Sequence, residues 1–321
     1  MPRRGWTRGR LACKPAESGT LGAVTKAALP ATDGAPFAEA GRTPISHRVN
    51  REAVVVLGWG RAILLQLAHP LVAAGVGAHS GFDAGALAYV RRMRRTIGAM
   101  LSLTFGTESE IRETVDRINA IHRRVHGRLD RAVGGYPAGT AFDATDPALL
   151  TWVHATLIDS QLRTYALFVG TLARNEEDRY CAEAARVGPL LGVSASELPD
   201  TRHRLDRYLD RMQQDDRLAV GDAARRLAGA LLAPPGRRWV APALWLGRLT
   251  TVGLLPEPIR GAYGFPWRAK DARRLRSAAA VLRAARRVTP PLLREWPAAR
   301  RSHLGLRGST AAGGARRFPE R

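Results

Sequence analysis

Cysteine, lysine, acidic residues and aromatic residues are scarce in this chain. Two of its 321 residues are Cys (Cys13 and Cys181), which excludes a disulfide scaffold and a Cys-rich zinc module. Acidic residues number 28 against 50 basic ones, of which 47 are Arg, so the formal net charge is +22. Aromatic residues make up only 6%, and few stand among the arginines, so no specific nucleic-acid partner is expected. The hydrophobic content of 45% is ordinary for a globular protein and excludes a wholly disordered chain.

The positive charge lies mainly at the two ends of the chain. Residues 1–50 carry a net charge of +5 and residues 268–321 carry +12. An anionic-lipid or nucleic-acid patch is one interpretation, and solvated Arg-rich segments are the other. We predict flexible basic tails at 1–45 and 296–321 around a single domain at 46–295. The apolar stretch that an export signal requires is missing, which predicts a cytoplasmic protein with reduced thiols.

Apolar residues recur with a helical period through most of the chain, and no run alternates convincingly with period two. The predicted fold class is therefore all-α, with a single domain of about ten helices. Start and stop signals place these helices near 50–68, 71–78, 84–104, 108–130, 146–171, 176–190, 199–213, 219–232, 241–254 and 269–287.

One apolar segment is long enough to raise the question of a membrane. Residues 62–82 carry no formal charge, and about 20 such residues are needed to cross a bilayer. Gln66, His69, Pro70 and His79 interrupt the segment, as do several glycines. We expect a buried helix with a bend at Pro70, and peripheral membrane contact is the alternative.

Three histidines stand on apolar helix faces, namely His69, His122 and His154. A buried imidazole requires a partner, so each is either a hydrogen-bonded core residue or a ligand. His122 and His126 are four residues apart, which would place both on one helix face and permit a zinc or iron site. Alternatively, one histidine alone could hold a haem iron axially.

Other sequence features exclude some classes of enzyme and predict where the helices pack closely or bind an anion. No Gly-rich dinucleotide loop, P-loop or Gly-x-Ser-x-Gly elbow is present. The Gly58-Trp59-Gly60 triplet predicts close helix packing. Asp159, Gln161 and Arg163 predict a structural hydrogen-bond network. The cluster at 91–95, which holds four arginines before Thr96, could bind an anion such as a haem propionate.

A set of motifs across about two thirds of the chain resembles the oxygenase MpaB-like family, which is related to the catalytic domain of latex-clearing rubber oxygenase. The motifs include Gln-Leu-Ala-His-Pro at 66–70, Arg-Met-Arg-Arg-Thr at 92–96 and Ile-Asn-Ala-Ile-His-Arg-Arg-Val-His-Gly at 118–127. Further matching segments lie at 50–53, 60–62, 79–82, 146–147, 152–157 and 263–267.

This resemblance implies an all-helical fold with a globin-like core and bound haem b. His122 matches the residue that ligates the iron in rubber oxygenase. The distal side would be formed by Arg92, Arg95 and Thr96, with Arg95 at a position where rubber oxygenases have Lys. Three further histidines, His69, His79 and His154, would orient the pocket or help the arginines to hold the haem propionates.

The predicted function is therefore a haem b-dependent oxygenase that uses dioxygen on a small hydrophobic substrate. The fungal member of the family acts at a membrane on a prenyl chain, which favours an isoprenoid or alkene-containing substrate and permits membrane association. Two alternatives stay open at the level of sequence. One is a non-catalytic haem- or lipid-binding helical protein, and the other is a non-haem metal enzyme that uses His122 and His126. The sequence does not predict the oligomeric state.

Overall fold

The computed structural model describes residues 43–79, 85–215, 217–232 and 241–302, and their side chains except those of 79, 85–90 and 92. Within these residues the protein is mainly helical, as predicted, and ten of its α-helices are nine residues or longer. The elements are α1 (Ile45–Asn50), α2 (Trp59–Leu67), α3 (Pro70–His79), α4 (Gly85–Phe105), α5 (Glu108–His122), β1 (His126–Arg128), β2 (Ala141–Asp143), α6 (Pro147–Phe168), α7 (Arg174–Ala185), α8 (Arg202–Gln214), α9 (Asp222–Leu232), α10 (Ala241–Leu254), α11 (Glu257–Ala262), α12 (Ala269–Val288) and α13 (Pro291–Arg294). Short 3-10 helices span Ala53–Gly58 and Gly188–Leu191.

Helix α6 is the central element of the core. Fourteen of its 22 residues are buried, and it packs along α2 and the 3-10 helix before it. The approach is close because Gly58 and Gly60 lack side chains. A Cβ at Gly58 would come within 2.8 Å of the Ser160 carbonyl oxygen, and a Cβ at Gly60 would collide with Thr251 of α10. The close packing predicted for the Gly-Trp-Gly triplet is confirmed.

The apolar segment at 62–82 is a bent pair of helices. Helix α2 ends at Leu67, and α3 begins at Pro70, because proline has no N–H to continue the ladder but suits a first helical turn. In the described residues no single helix is long and apolar enough to span a bilayer. The stretches Ala53–Leu67 and Pro70–Ala78 would reach that length only together, and they are bent by 106°. The predicted bend at Pro70 is confirmed.

Several predicted helix starts are also confirmed. Thr107 and Glu110 form a reciprocal capping box at the start of α5, and the Asp146 side chain accepts from the Ala148 N–H at the start of α6. One predicted helix is wrong in its last third. Helix α5 ends at His122 rather than near residue 130, and the chain then forms an antiparallel pair with His126 opposite Asp143.

The two ends of the described domain are joined to each other. Glu52 is buried and accepts two hydrogen bonds from the Arg286 guanidinium, at 3.1 and 2.6 Å. The Trp296 N–H donates to the Arg51 carbonyl, and the backbones of Glu52 and Glu295 form an isolated antiparallel β-bridge. Residues 297–302 are helical and Ala299 is fully buried, so this part of the predicted C-terminal tail packs on the domain. The predicted tails at 1–42 and 303–321 lie outside the described residues.

Candidate functional site

His122 is the last residue of α5, and the chain that follows the helix end determines how far the His122 side chain is buried. Beyond it the chain turns through residues 123–125 into β1, so His122 is half-buried whereas its neighbour Ile121 is 55% exposed. The Nδ1 atom of His122 is buried and has no hydrogen-bond partner. Burial lowers the pKa of His122, which keeps the imidazole neutral at pH 7. A neutral ring with lone-pair density is the form that ligates a metal.

The predicted pairing of His122 with His126 on one helix face is wrong. His126 lies in β1 and is exposed, because its backbone pairs with Asp143 instead of continuing the helix. Among the described residues, no group of three or more His, Cys, Asp or Glu side chains is arranged to hold a metal ion. A shared metal site is predicted only if both residues lie on one helix, and this condition is not met because the helix ends at His122.

His69 lies at the bend between α2 and α3 and is 4% exposed. Its Nε2 atom is 3.2 Å from the Tyr136 hydroxyl, and its Nδ1 atom is buried without a partner. Burial, with a smaller contribution from the positive charge of Arg217, lowers the pKa of His69 to about 4. This imidazole is therefore uncharged over the physiological range.

His154 lies in the middle of α6. Its side chain is half-buried, but its Nε2 atom is fully buried and has no hydrogen-bond partner. Burial lowers the pKa of His154 to about 4. The three histidines predicted on apolar faces thus share two properties, which are a neutral ring and one buried nitrogen without a partner.

The residues predicted for the distal side lie on α4. Arg95 and Thr96 are exposed, as are Arg91 and Arg94 of the same cluster. The side chains of Arg92 and His79 lie outside the described set. Helix α4 packs against α5, where the Thr114 hydroxyl donates to Ser102 at 3.0 Å. The helix with Arg95 and Thr96 is therefore a direct neighbour of the helix that ends at His122.

Two further contacts involve the elements that carry the other candidates, one beside the end of α5 and one between α2 and α6. A Cβ at Gly75 would lie 3.1 Å from Cγ1 of Val125, so α3 lies close beside the turn that follows His122. The Gln66 amide donates to the carbonyl of Val153, which joins the end of α2 to the part of α6 that carries His154. The candidate residues thus lie on α3 to α6 and, for His69, at the bend that precedes α3.

A small cleft borders this region and is not evident from the sequence. Its lining combines apolar and amide side chains from distant parts of the chain: Asn50, Val55, Val56, Trp59, Met100, Leu101, Thr104, Gln161 and Trp296. The Tyr180 hydroxyl lies 2.9 Å from Oδ1 of Asn50 and 2.8 Å from Oε1 of Gln161. Met100 and Thr104 lie one and two helical turns beyond Thr96 on α4. The only sequence signal for this cleft was the polar network predicted around Gln161.

The network predicted around Asp159 is confirmed and is larger than the sequence indicated. Asp159 is fully buried and receives hydrogen bonds from Arg61 at 2.7 Å and from Arg163 at 2.9 Å. Arg202 forms a third ion pair with it at 3.1 Å. Burial alone would raise the pKa of Asp159, but the three guanidinium charges outweigh it and hold that pKa below its usual range. This network fixes α2, α6 and α8 together.

We expect the neutral histidines to make the fold sensitive to mild acid. Folded His69 takes up a proton only near pH 4, whereas an unfolded histidine does so near 6.5. The contribution of neutral His69 to the free energy of unfolding is therefore complete above pH 6.5. It is lost as the pH falls from 6.5 to 4. Between about pH 7 and about pH 5 this loss is about 2 kcal/mol.

Denaturant unfolding at those two pH values measures this loss. The free energy of unfolding of His69→Gln should fall by about 2 kcal/mol less than that of the wild type. His203→Gln, at an exposed position on α8, is the matched control and should follow the wild type. Equal losses for wild type and His69→Gln would show that His69 is not held neutral by the fold.

The structure thus shows a helical domain with three neutral imidazoles, those of His69, His122 and His154, each with one buried nitrogen that has no hydrogen-bond partner. A family model described as "ER-bound oxygenase mpaB/B'/Rubber oxygenase, catalytic domain" matches residues 47–284, about three quarters of the chain. The chain therefore belongs to this oxygenase family, which makes it an oxidoreductase by class. No curated protein and no solved structure matches it.

Proposed function

We propose that this protein is a haem b-dependent oxygenase that acts with dioxygen on a small hydrophobic substrate, isoprenoid or alkene-containing in class. Membership of the oxygenase family supports the reaction class. The observation that carries the cofactor assignment is His122, a neutral, half-buried imidazole with a buried and unpartnered Nδ1 at the end of α5. The same family relationship supports the globin-like arrangement of the core, which is part of this proposal.

The residues present fit a haem in two respects. His122 is uncharged, as a histidine that ligates iron must be, and the exposed arginines of α4 would supply charge for the propionates. When bound, haem supplies the redox chemistry that activates dioxygen. Within the proposal His122 would hold the iron. Arg92, Arg95 and Thr96 would line the distal side and donate hydrogen bonds there.

The other histidines have supporting roles in this proposal. His69 and His154, both neutral, would shape the pocket without adding charge to it, which suits an apolar substrate. His79, at the end of α3, would help to orient the pocket or to hold the haem propionates. Exclusion of water by the apolar faces of α3 and α6 would favour a hydrophobic substrate over a polar one.

The absorption spectrum of the full chain, purified from haem-supplemented cells, tests the proposal. We expect a Soret band in the wild type and its loss, or a large decrease in haem content, in His122→Ala. His126→Ala is the matched control, because this exposed residue lies only four positions away in β1, and it should retain the band. Circular dichroism confirms that both variants fold.

Other results would lead to different conclusions. A colourless wild type with no extractable porphyrin would refute haem dependence, and metal analysis of the same sample would then test a non-haem centre. A haem-loaded protein that consumes no oxygen with any alkene-containing substrate would favour the non-catalytic haem- or lipid-binding alternative.

A further inference from the structure

The exposed apolar side chains of this protein are concentrated on one part of its surface. Seven large hydrophobic residues are exposed in the described residues, and six of them lie on α10, α12 and α13. We call these six the apolar patch: Leu244, Trp245, Val281, Val288, Leu292 and Leu293. Val288 is 84% exposed and Leu293 is 75% exposed, so the patch faces outward. Single exposed apolar residues need no explanation, but a cluster of six marks a contact surface.

Helix α12 shows how the patch is built. Its inner side carries Leu275 and Ala279, which are buried against α10 and the end of α6. On its outer side Arg274, Val281 and Val288 are spaced by seven residues, so they form one line along the helix. The helix therefore presents arginine at its start and valine toward its end.

The neighbouring helices extend this surface. Helix α13 follows α12 directly and has no buried residue, and both of its leucines are exposed. Leu246, next to Trp245 on α10, packs in the same cluster as Leu282, next to Val281 on α12. Helices α10 and α12 thus pack side by side near Trp245 and Val281, and α13 continues from the end of α12.

The charge around the patch is strongly positive. Residues 268–302 contain eleven basic and only two acidic residues. Both carboxylates are engaged within the domain, since Asp271 caps the first turn of α12 and Glu295 is buried beside Arg51 and Arg294. The outer side of this segment therefore presents arginines, among them Arg273 and Arg287, with no acidic residue exposed between them.

We propose that the apolar patch and its arginines dock the protein on an anionic lipid membrane. Exposed Trp, Leu and Val can enter the boundary between headgroups and acyl chains, while arginines bind the lipid phosphates. A second copy of this chain would bring two strongly positive surfaces together, and a nucleic acid would leave the six apolar residues in water. Anionic lipid satisfies both halves of the surface. The proposal does not depend on haem binding.

Vesicle co-sedimentation of the full chain tests it. The protein should bind vesicles in which phosphatidylglycerol supplies part of the lipid and bind phosphatidylcholine vesicles much more weakly. Leu292→Ser combined with Leu293→Ser should weaken binding about tenfold. Ile121→Ser, which alters the one large exposed hydrophobic residue outside the patch among the described residues, is the matched control and should bind as the wild type does.

The charge contribution is tested in the same assay. Arg273→Gln combined with Arg287→Gln should weaken binding about thirtyfold, since each arginine near an anionic surface contributes about 1 kcal/mol. Arg207→Gln combined with Arg226→Gln, at exposed positions on α8 and α9, should have little effect.

Three results would overturn the proposal. The first is wild-type protein that stays in the supernatant with both kinds of vesicle. The second is binding that the arginine pair alone weakens and that RNA competes away, which would indicate a polyanion site. The third is a wild-type dimer in sedimentation velocity that Leu292→Ser with Leu293→Ser makes monomeric, which would assign the patch to self-association.

Discussion

Replacing Asp159 with Ala is expected to lower the free energy of unfolding by about 3–5 kcal/mol, because it leaves buried guanidinium groups without a counter-charge. The largest part of this loss is expected at Arg61, which is 2% exposed. Its Nη2 donates to Asp159, and its Nη1 donates to Ser160. Water cannot replace the lost carboxylate without opening the contact between α2 and α6. Chemical denaturation at neutral pH measures the change.

Asp206→Ala is the matched control for that experiment. Asp206 also pairs with Arg202, at 2.6 Å, but its side chain is 36% exposed. Exposed ion pairs contribute about 0–1 kcal/mol, so this variant should stay close to the wild type. A similar loss for Asp159→Ala and Asp206→Ala would mean that burial of the network contributes nothing to its strength.

The second large effect is expected at the two glycines of the 3-10 helix and α2. Gly58→Ala and Gly60→Ala should each destabilise the fold by about 1–3 kcal/mol, because a methyl group has no space at either position. The two positions differ in what blocks the methyl group. At Gly58 the methyl group would meet both the Thr164 side chain and the Ser160 backbone carbonyl, whereas at Gly60 the three nearest atoms all belong to the Thr251 side chain.

Second-site changes distinguish these cases. Adding Thr251→Ala to Gly60→Ala should recover much of the loss, with a coupling energy of about 1–2 kcal/mol in a double-mutant cycle. Adding Thr164→Ala to Gly58→Ala should recover less, because the carbonyl of Ser160 cannot be removed. Equal recovery at both positions would contradict the backbone clash at Gly58.

The helical fold could be predicted from sequence because its signals are local. The capping box at Thr107 and the proline at 147 mark helix starts within a few residues of where they occur. The end of α5 was missed because it depends on pairing of β1 with β2, which lies thirteen or more residues away along the chain. Three-residue strands are too short to show an alternating pattern.

The burial of the candidate histidines was also predictable from the sequence. His69, His122 and His154 were recognised as inward-facing from their apolar neighbours, and their buried nitrogens agree with that. The partners of Asp159 could not be inferred in full, since Arg61 and Arg202 come from helices distant in sequence. The cleft beside Trp59 likewise combines residues from four separate regions of the chain.

The junction of Glu52 with Arg286 and of Arg51 with Trp296 brings the first and last parts of the described domain side by side. During synthesis on the ribosome Glu52 emerges long before Arg286. Its carboxylate, which is buried in the folded domain, therefore stays in water until Arg286 has emerged. During synthesis we therefore expect this junction to form late, after residue 296 has emerged. Because residues 51–52 and 295–296 meet, the described domain suits circular permutation, with its two ends joined by a linker and new ends opened in an exposed loop.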